Sequence, residues 1–264
     1  MSEDDLSDED VLLLSHEGAT CVVTLNRPET LNSVTPVLQH RLTTLWREIA
    51  ADPAVRAVVI TGAGRAFSAG GDFEYLQANQ IDARVRETSI AWDRTIQTEM
   101  LRFPLPVIAA VNGPAIGLGC SLAVGCDLVL LSDRAYLADP HVSVGLTAGD
   151  GGVTFWPLLT SLLRAKEYLL TGDRIPPQRA VDLGLANRVV PHEDLMPQAL
   201  DLAERLGRQP AFAVRSTKAA LNLVLEQLTR GGMEAALLAE REAMTSQDHI
   251  DIIEGLRAKT QRPS

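Results

Sequence analysis

Two glycine-rich segments hold the residue types that could stabilise negative charge with backbone alone. The first is Ala66-Phe67-Ser68-Ala69-Gly70-Gly71-Asp72, which follows a β-rich run at 56–61. Its small residues let the chain approach a ligand closely. A turn there points N–H groups into the cleft at the carboxyl end of the strand. The second is Asn112-Gly113-Pro114-Ala115-Ile116-Gly117-Leu118-Gly119-Cys120-Ser121, which follows a run at 106–111. It opens a helix, where unpaired N–H groups and the positive end of the helix dipole converge. Each segment alone is also what an ordinary glycine turn looks like; the pair, in this order after two strands, is more specific.

Both segments need strands and crossover helices to hold them. TCVVTL at 20–25, RAVVIT at 56–61, PVIAAV at 106–111, DLVLL at 127–131 and AYLA at 135–138 read as strands. Between the first two, Leu38, Leu42, Leu45, Trp46 and Ile49 recur at helical spacing after a Thr35-Pro36 start. The alternation implies parallel pairing and an α/β class. A short helix begins near Gly119. Beyond Gly151 helical patterns take over, at Leu158–Leu170, Pro177–Leu183, Leu195–Leu206, Ala211–Leu228 and Met233–Met244, with Val189-Val190 the last β pair. We expect an acidic tail at 1–10, an α/β core at 11–200 and a C-terminal helical segment at 201–264, some of whose apolar residues meet another subunit.

Composition narrows the classes of function. The chain has 264 residues and a net charge of −10. Residues 1–10 hold six acids and no base, which leaves −4 on the rest and marks that stretch as a disordered tail. No basic stripe with interleaved aromatics suggests nucleic acid. No apolar run approaches the ~20 residues of a membrane span, and no basic segment precedes an apolar one at the start, so a cytoplasmic location is expected. Cys21, Cys120 and Cys126 show neither disulfide nor metal spacing. Gly117-x-Gly119 lacks the third glycine of a dinucleotide site. Ser68 sits in a weak echo of a nucleophile elbow, with Ala66 in place of the first glycine. His16, His40, His192 and His249 lie in polar segments and read as surface residues.

With Leu25-Asn26-Arg27-Pro28, Asn32, Leu170-Thr171-Gly172-Asp173, Gly184 to Val190 and Lys218 to Asn222, the two glycine segments resemble the crotonase (enoyl-CoA hydratase/isomerase) superfamily from about Val11 to Pro263. The resemblance implies a spiral of repeated ββα units followed by a helical trimerisation segment, with trimers that can pair into hexamers. It implies an acyl-CoA substrate of fatty acid metabolism, with coenzyme A part of that substrate and no separate cofactor or metal. The thioester oxygen would sit between the backbone N–H groups of Gly71 and Leu118. Phe67, Ala69, Gly70 and Asp72 would border the CoA moiety. Arg27 and Arg262 are weaker candidates for its phosphates, with a solvated surface charge as the simpler reading of each.

The same resemblance exposes a departure. Hydratases of the family place two glutamates on the catalytic water. Here the matching positions fall at Ser121 and within Pro140-His141-Val142-Ser143-Val144-Gly145, so both carboxylates are absent. A serine can orient water but is no base unaided. His141 can act as acid or base. Asp150, in Thr147-Ala148-Gly149-Asp150-Gly151-Gly152, lies one residue beyond a site where some double-bond-shifting relatives carry an acid. Asp150 either caps the helix after the glycines or moves protons, and both roles can hold. The leading expectation is hydration of a 2-enoyl-CoA. An isomerase, which needs only one placed base, is the second. A decarboxylase, a thioesterase or a non-catalytic acyl-CoA binder are the others.

Overall fold

The computed structural model describes residues 11–260. The expected acidic tail at 1–10 and Arg262 lie outside them. Six strands form the main sheet in the order β1-β2-β3-β4-β6-β8. β1 (Leu12–Glu17) pairs antiparallel with β2 (Thr20–Leu25). β2, β3 (Ala57–Gly62), β4 (Val107–Val111), β6 (Leu128–Ser132) and β8 (Arg188–Val190) run parallel. A second, two-stranded parallel sheet joins β5 (Pro114–Ile116) to β7 (Tyr136–Ala138). This is the α/β crotonase-like spiral the sequence implies.

Both faces of the central strands are buried, so they read as continuous β-branched runs rather than alternating ones. Val58, Ile60, Ala109 and Val111 face the larger core. That core includes Leu38, Leu42, Leu45, Trp46 and Ile49 of α1 (Pro36–Ala51), whose start is capped by Thr35. The alternate residues Ala57, Val59, Ile108 and Ala110 face Leu195, Ala199, Leu202 and Ala203 of α8 (Leu195–Gly207). The division at residue 200 is therefore corrected. α8 runs through it without a break and packs on the sheet, so it belongs to the core.

Several helices depart from the sequence reading. α2 (Phe73–Ile81) and α3 (Ala83–Arg102) were not anticipated. α3 hides Ile90, Ile96 and Met100, but also Ser89, Asp93 and Gln97. A buried stripe that is half polar does not show in apolar periodicity. The pattern at Leu158–Leu170 is two helices, α5 (Gly152–Leu159) and α6 (Leu162–Thr171), because Ser161 caps the second through the Arg164 N–H. α7 (Pro177–Leu183) stands as read. The last two patterns are one helix, α9 (Ala211–Ala243), continuous through Gly231-Gly232, and α10 (Gln247–Thr260) follows it. Among the described residues no helix is long and apolar enough to cross a membrane.

Candidate active site

The glycine segments meet at the carboxyl ends of β3 and β4. Asn32 ties the first in place: its side-chain amide donates to the carbonyls of Ala63 and Ala66, each at 2.9 Å. Asn112 accepts from the Gly62 N–H at 3.1 Å and donates to the Gly64 carbonyl at 3.0 Å. The two segments then bond directly, with the Ile116 N–H donating to the Ser68 carbonyl at 2.9 Å. Gly70 has φ +84°, and a Cβ there would lie 2.8 Å from the Ile116 carbonyl oxygen. Only glycine meets both conditions.

Gly71 and Leu118 therefore stand on opposing segments, and both line one cavity of about 160 Å³. Neither N–H donates to another backbone group among the described residues. Leu118 opens α4 (Leu118–Val124) behind Gly117, so its N–H is free for the general reason that first-turn donors are. Two unpaired donors facing one apolar-walled space can hold an anionic oxygen.

The acid–base groups line the same cavity, where a Cβ on Gly117 would lie 3.6 Å from His141 Cε1. His141 begins a single helical turn, His141–Val144, closed by Gly145 in the left-handed conformation. α10 packs on this turn: His249 Nδ1–H donates to the Val144 carbonyl at 2.5 Å. His249 is fully buried, which corrects the expectation of a surface residue. Burial pushes its pKa below the ordinary value. His192 also has a partner, the Ser132 hydroxyl at 3.0 Å.

His141 Nδ1–H donates to Asp139, and Nε2–H donates to Asp150 Oδ2 at 3.1 Å. Only the imidazolium donates from both nitrogens. Burial works against that charge, yet the Asp150 and Asp139 carboxylates outweigh it and hold the His141 pKa well above the ordinary value. Ser121 donates to Asp150 Oδ1 at 2.8 Å. Asp150 does not cap α5, whose N-cap, Gly151, makes no side-chain cap bond. Its two oxygens are turned instead to Ser121 and His141. Ser121 is buried and absent from the cavity lining, so it touches Asp150 rather than the cavity.

Other expected positions separate from the cavity. Ala69, Gly70, Gly71 and Leu118 line it, whereas Phe67, Asp72 and Arg27 do not. Phe67 is wholly inside the core. Asp72 caps α2 through the Glu74 N–H at 3.0 Å and accepts from the Ser33 hydroxyl at 3.0 Å. Arg27 is 2% exposed and donates to the Ser33 carbonyl at 2.8 Å, so it is not a solvated surface charge. Ser68 is buried and donates to the Asn32 carbonyl, which leaves no nucleophile elbow. The three cysteines are free and buried.

Three acids were not anticipated. Asp139 precedes His141 by two residues, with Pro140 between them. Glu240 reaches the site from α9, with Oε1 3.9 Å from His141 Nε2, and Asp93 comes from α3. Nothing in the local sequence of either helix separates them from surface acids. Burial foremost, then Asp150, pushes Asp93 up to about 8; burial also pushes Glu240 well above the carboxylate range, against the pull of His141. The ligand atoms of Asp139, His141 and Asp150 lie within 4.8 Å of one another, close enough to share a cation. His141, charged and placed between the two carboxylates, is the cation of this cluster.

The Asp93 shift has a consequence for stability. Folding raises this carboxyl from 3.8 to about 8, so the folded chain holds a proton that the unfolded chain releases. The resulting stability is present in full below pH ~4 and is lost as pH rises toward 8. Asp93→Asn keeps an acceptor for Gln39 and does not titrate. We expect the variant to be more stable than the parent at pH 8 by on the order of 2 kcal/mol, a Tm rise of roughly 4–8 °C, with a smaller gap near pH 4.5. Thermal melts at the two pH values check this, and parallel profiles would contradict it.

Known proteins of similar sequence and fold identify the family. The sequence model described as enoyl-CoA hydratase/isomerase matches residues 15–262. A short-chain-enoyl-CoA hydratase of Clostridium acetobutylicum is 34% identical over 235 residues, 88% of this chain and 87% of that one. The crystal structure of an enoyl-CoA hydratase/isomerase from Mycobacterium paratuberculosis superposes with a TM-score of 0.91 at 48% identity, covering 94% of this chain and 98% of the other. A monofunctional enoyl-CoA isomerase from M. smegmatis superposes with a TM-score of 0.70 at 32% identity, covering 83% and 95%. With a family match across nearly its whole length and a site built on the two glycine segments, the chain belongs to the enoyl-CoA hydratase/isomerase family.

Proposed function

We propose that the protein is an acyl-CoA-processing lyase that adds water across the double bond of a 2-enoyl-CoA. The observation that carries this reading is one cavity lined both by two unpaired backbone donors and by the His141–Asp150 pair. The Gly71 and Leu118 N–H groups polarise the thioester carbonyl and hold the enolate oxygen. Asp150 takes a proton from water as its oxygen bonds to the β-carbon. The electron pair of the double bond moves onto the thioester oxygen. His141 then delivers its Nε2 proton to the α-carbon as the carbonyl re-forms. Asp150 returns its proton to His141 along the 3.1 Å hydrogen bond, and the pair is reset. Because the acid and base are neighbours, both additions come to one face of the substrate.

The hydratase name of the Clostridium relative supports this reading. Absence of both family glutamates favours a second one, a shift of the double bond by a single base. The two part in a direct assay. Purified protein is expected to consume 2-enoyl-CoA thioesters with formation of the 3-hydroxyacyl product. No hydration at any chain length, with conversion of a 3-enoyl-CoA, would make it an isomerase instead. We also propose that α9 builds a homotrimer, because Leu221, Val224 and Leu228 expose 55–66% of their surface along one face of it. Light scattering that gives a monomer would contradict this.

A further inference from the structure

One part of the cavity lining is polar where a hydrocarbon chain would want the opposite. Gln39 of α1, Asn79 of α2 and Ser89 and Asp93 of α3 all line it, and each is at most 4% exposed. Tyr75 lines it too and donates to Gln39 Oε1 at 2.5 Å, while Gln39 Nε2 donates to Asp93 Oδ1 at 2.6 Å. Asn79 Oδ1 is buried and has no hydrogen-bond partner. Five polar side chains from three helices thus converge on one small cavity that also holds the proton-transfer pair. A hydrocarbon tail would offer this polar cluster no partner, and the Asn79 oxygen would be left unpaired.

The charge around this space selects further. The carboxylates of Asp139 and Asp150 outnumber His141, the one basic side chain among the lining residues, while burial pushes Asp93 and Glu240 toward their neutral forms. An acyl chain that carried its own carboxylate would add to an existing excess of negative charge. A neutral donor or acceptor meets no such opposition.

We propose that the acyl group is short and carries a neutral hydrogen-bonding group, a hydroxyl or a carbonyl, which pairs with the Asn79 and Asp93 side chains, the second of them held in place by Gln39. This rests on the acyl-CoA reading given above and names its substrate class. Asp93 stays largely protonated near neutral pH, since its carboxyl is pushed up to about 8 by burial and then by Asp150, and so it can donate as well as accept.

Calorimetric binding of saturated thioesters tests the proposal without requiring turnover. The probes are pentanoyl-CoA, its 4-hydroxy and 5-hydroxy derivatives, and glutaryl-CoA, added to the full-length protein. One of the two hydroxylated chains is expected to bind about tenfold more tightly than pentanoyl-CoA, the worth of a buried neutral hydrogen bond, and glutaryl-CoA to bind most weakly. Asn79→Leu is expected to reduce that preference to about twofold or less. Pentanoyl-CoA binding as tightly as both hydroxylated chains would overturn the proposal, and this comparison in the parent protein stands even if the variant fails to fold. Tight binding without turnover of any enoyl thioester would count against the reaction alone. Failure of all four thioesters to bind would remove both.

Discussion

Asp150→Asn is expected to lower kcat by about 10²–10⁴-fold, the usual contribution of a positioned proton-transfer group. Asparagine keeps the shape of the side chain and still accepts from Ser121, so the loop holds its place while the base is lost. His141→Gln should fall by a similar factor, because it removes the proton destined for the α-carbon. The two groups act through one hydrogen bond, so the double variant should cost little more than either alone. The pH profile separates chemistry from structure. Activity that needs the imidazolium declines as pH rises through a His141 pKa held well above the ordinary value, despite burial, by Asp150 and Asp139. The alkaline limb of kcat/KM is therefore expected well above pH ~6.5 in the parent, and it should move in Asp139→Asn, which removes one of the carboxylates. A single variant with kcat within a few-fold of the parent would exclude that residue from proton transfer.

Leu118→Pro should cost about 10²–10³-fold in kcat, as expected for loss of one oxyanion donor. The position makes the experiment clean. Leu118 is the first residue of α4, the place where proline is best tolerated in a helix, because the N–H it lacks has no intrahelical partner there. The preceding Gly117 has φ 54° and ψ −126°, outside the α region that a following proline disfavours. Leu118→Ala shortens the same side chain and keeps the N–H. It should retain activity within about tenfold, since only part of one lining side chain is removed. Equal losses in both variants would show that the side chain matters and the backbone donor does not.

How far the sequence disclosed this site depends on which kind of chemistry is asked about. The two unpaired backbone donors proposed to hold the oxyanion were legible because backbone chemistry leaves a mark: Gly70 and Gly117 need conformations that few other residues adopt, and they sit in segments that follow clear β runs. Strands β2, β3, β4 and β6 were legible for the same kind of reason, since burial on both faces demands unbroken apolar runs. His141 and Asp150 were visible only as candidates, and their meeting is a tertiary fact. The loop at 147–151 and the turn at 141–144 come together because α9 and α10 pack over them.

The acids on α3 and α9 were not legible. Ser89, Asp93 and Gln97 repeat every fourth residue along one buried stripe of α3. Ser89 and Asp93 line the cavity, and Gln97 donates to the Gly149 carbonyl at 2.9 Å, beside Asp150. A stripe that builds a site is polar, and polarity at helical spacing reads as solvent exposure. The feature that hid α3 from the sequence is the one that makes it part of the active site. Glu240 was hidden for the opposite reason: it is one of many charged residues on a long helix, and only the fold turns it inward.

The most direct measurement is a crystal structure of the protein with a bound acyl-CoA. The account predicts a thioester oxygen within hydrogen-bond distance, ~2.7–3.1 Å, of both the Gly71 and Leu118 nitrogens, with the α- and β-carbons facing His141 and Asp150 directly or through one water. A thioester oxygen bound elsewhere, or an acyl chain that leaves His141 and Asp150 out of reach, would contradict it.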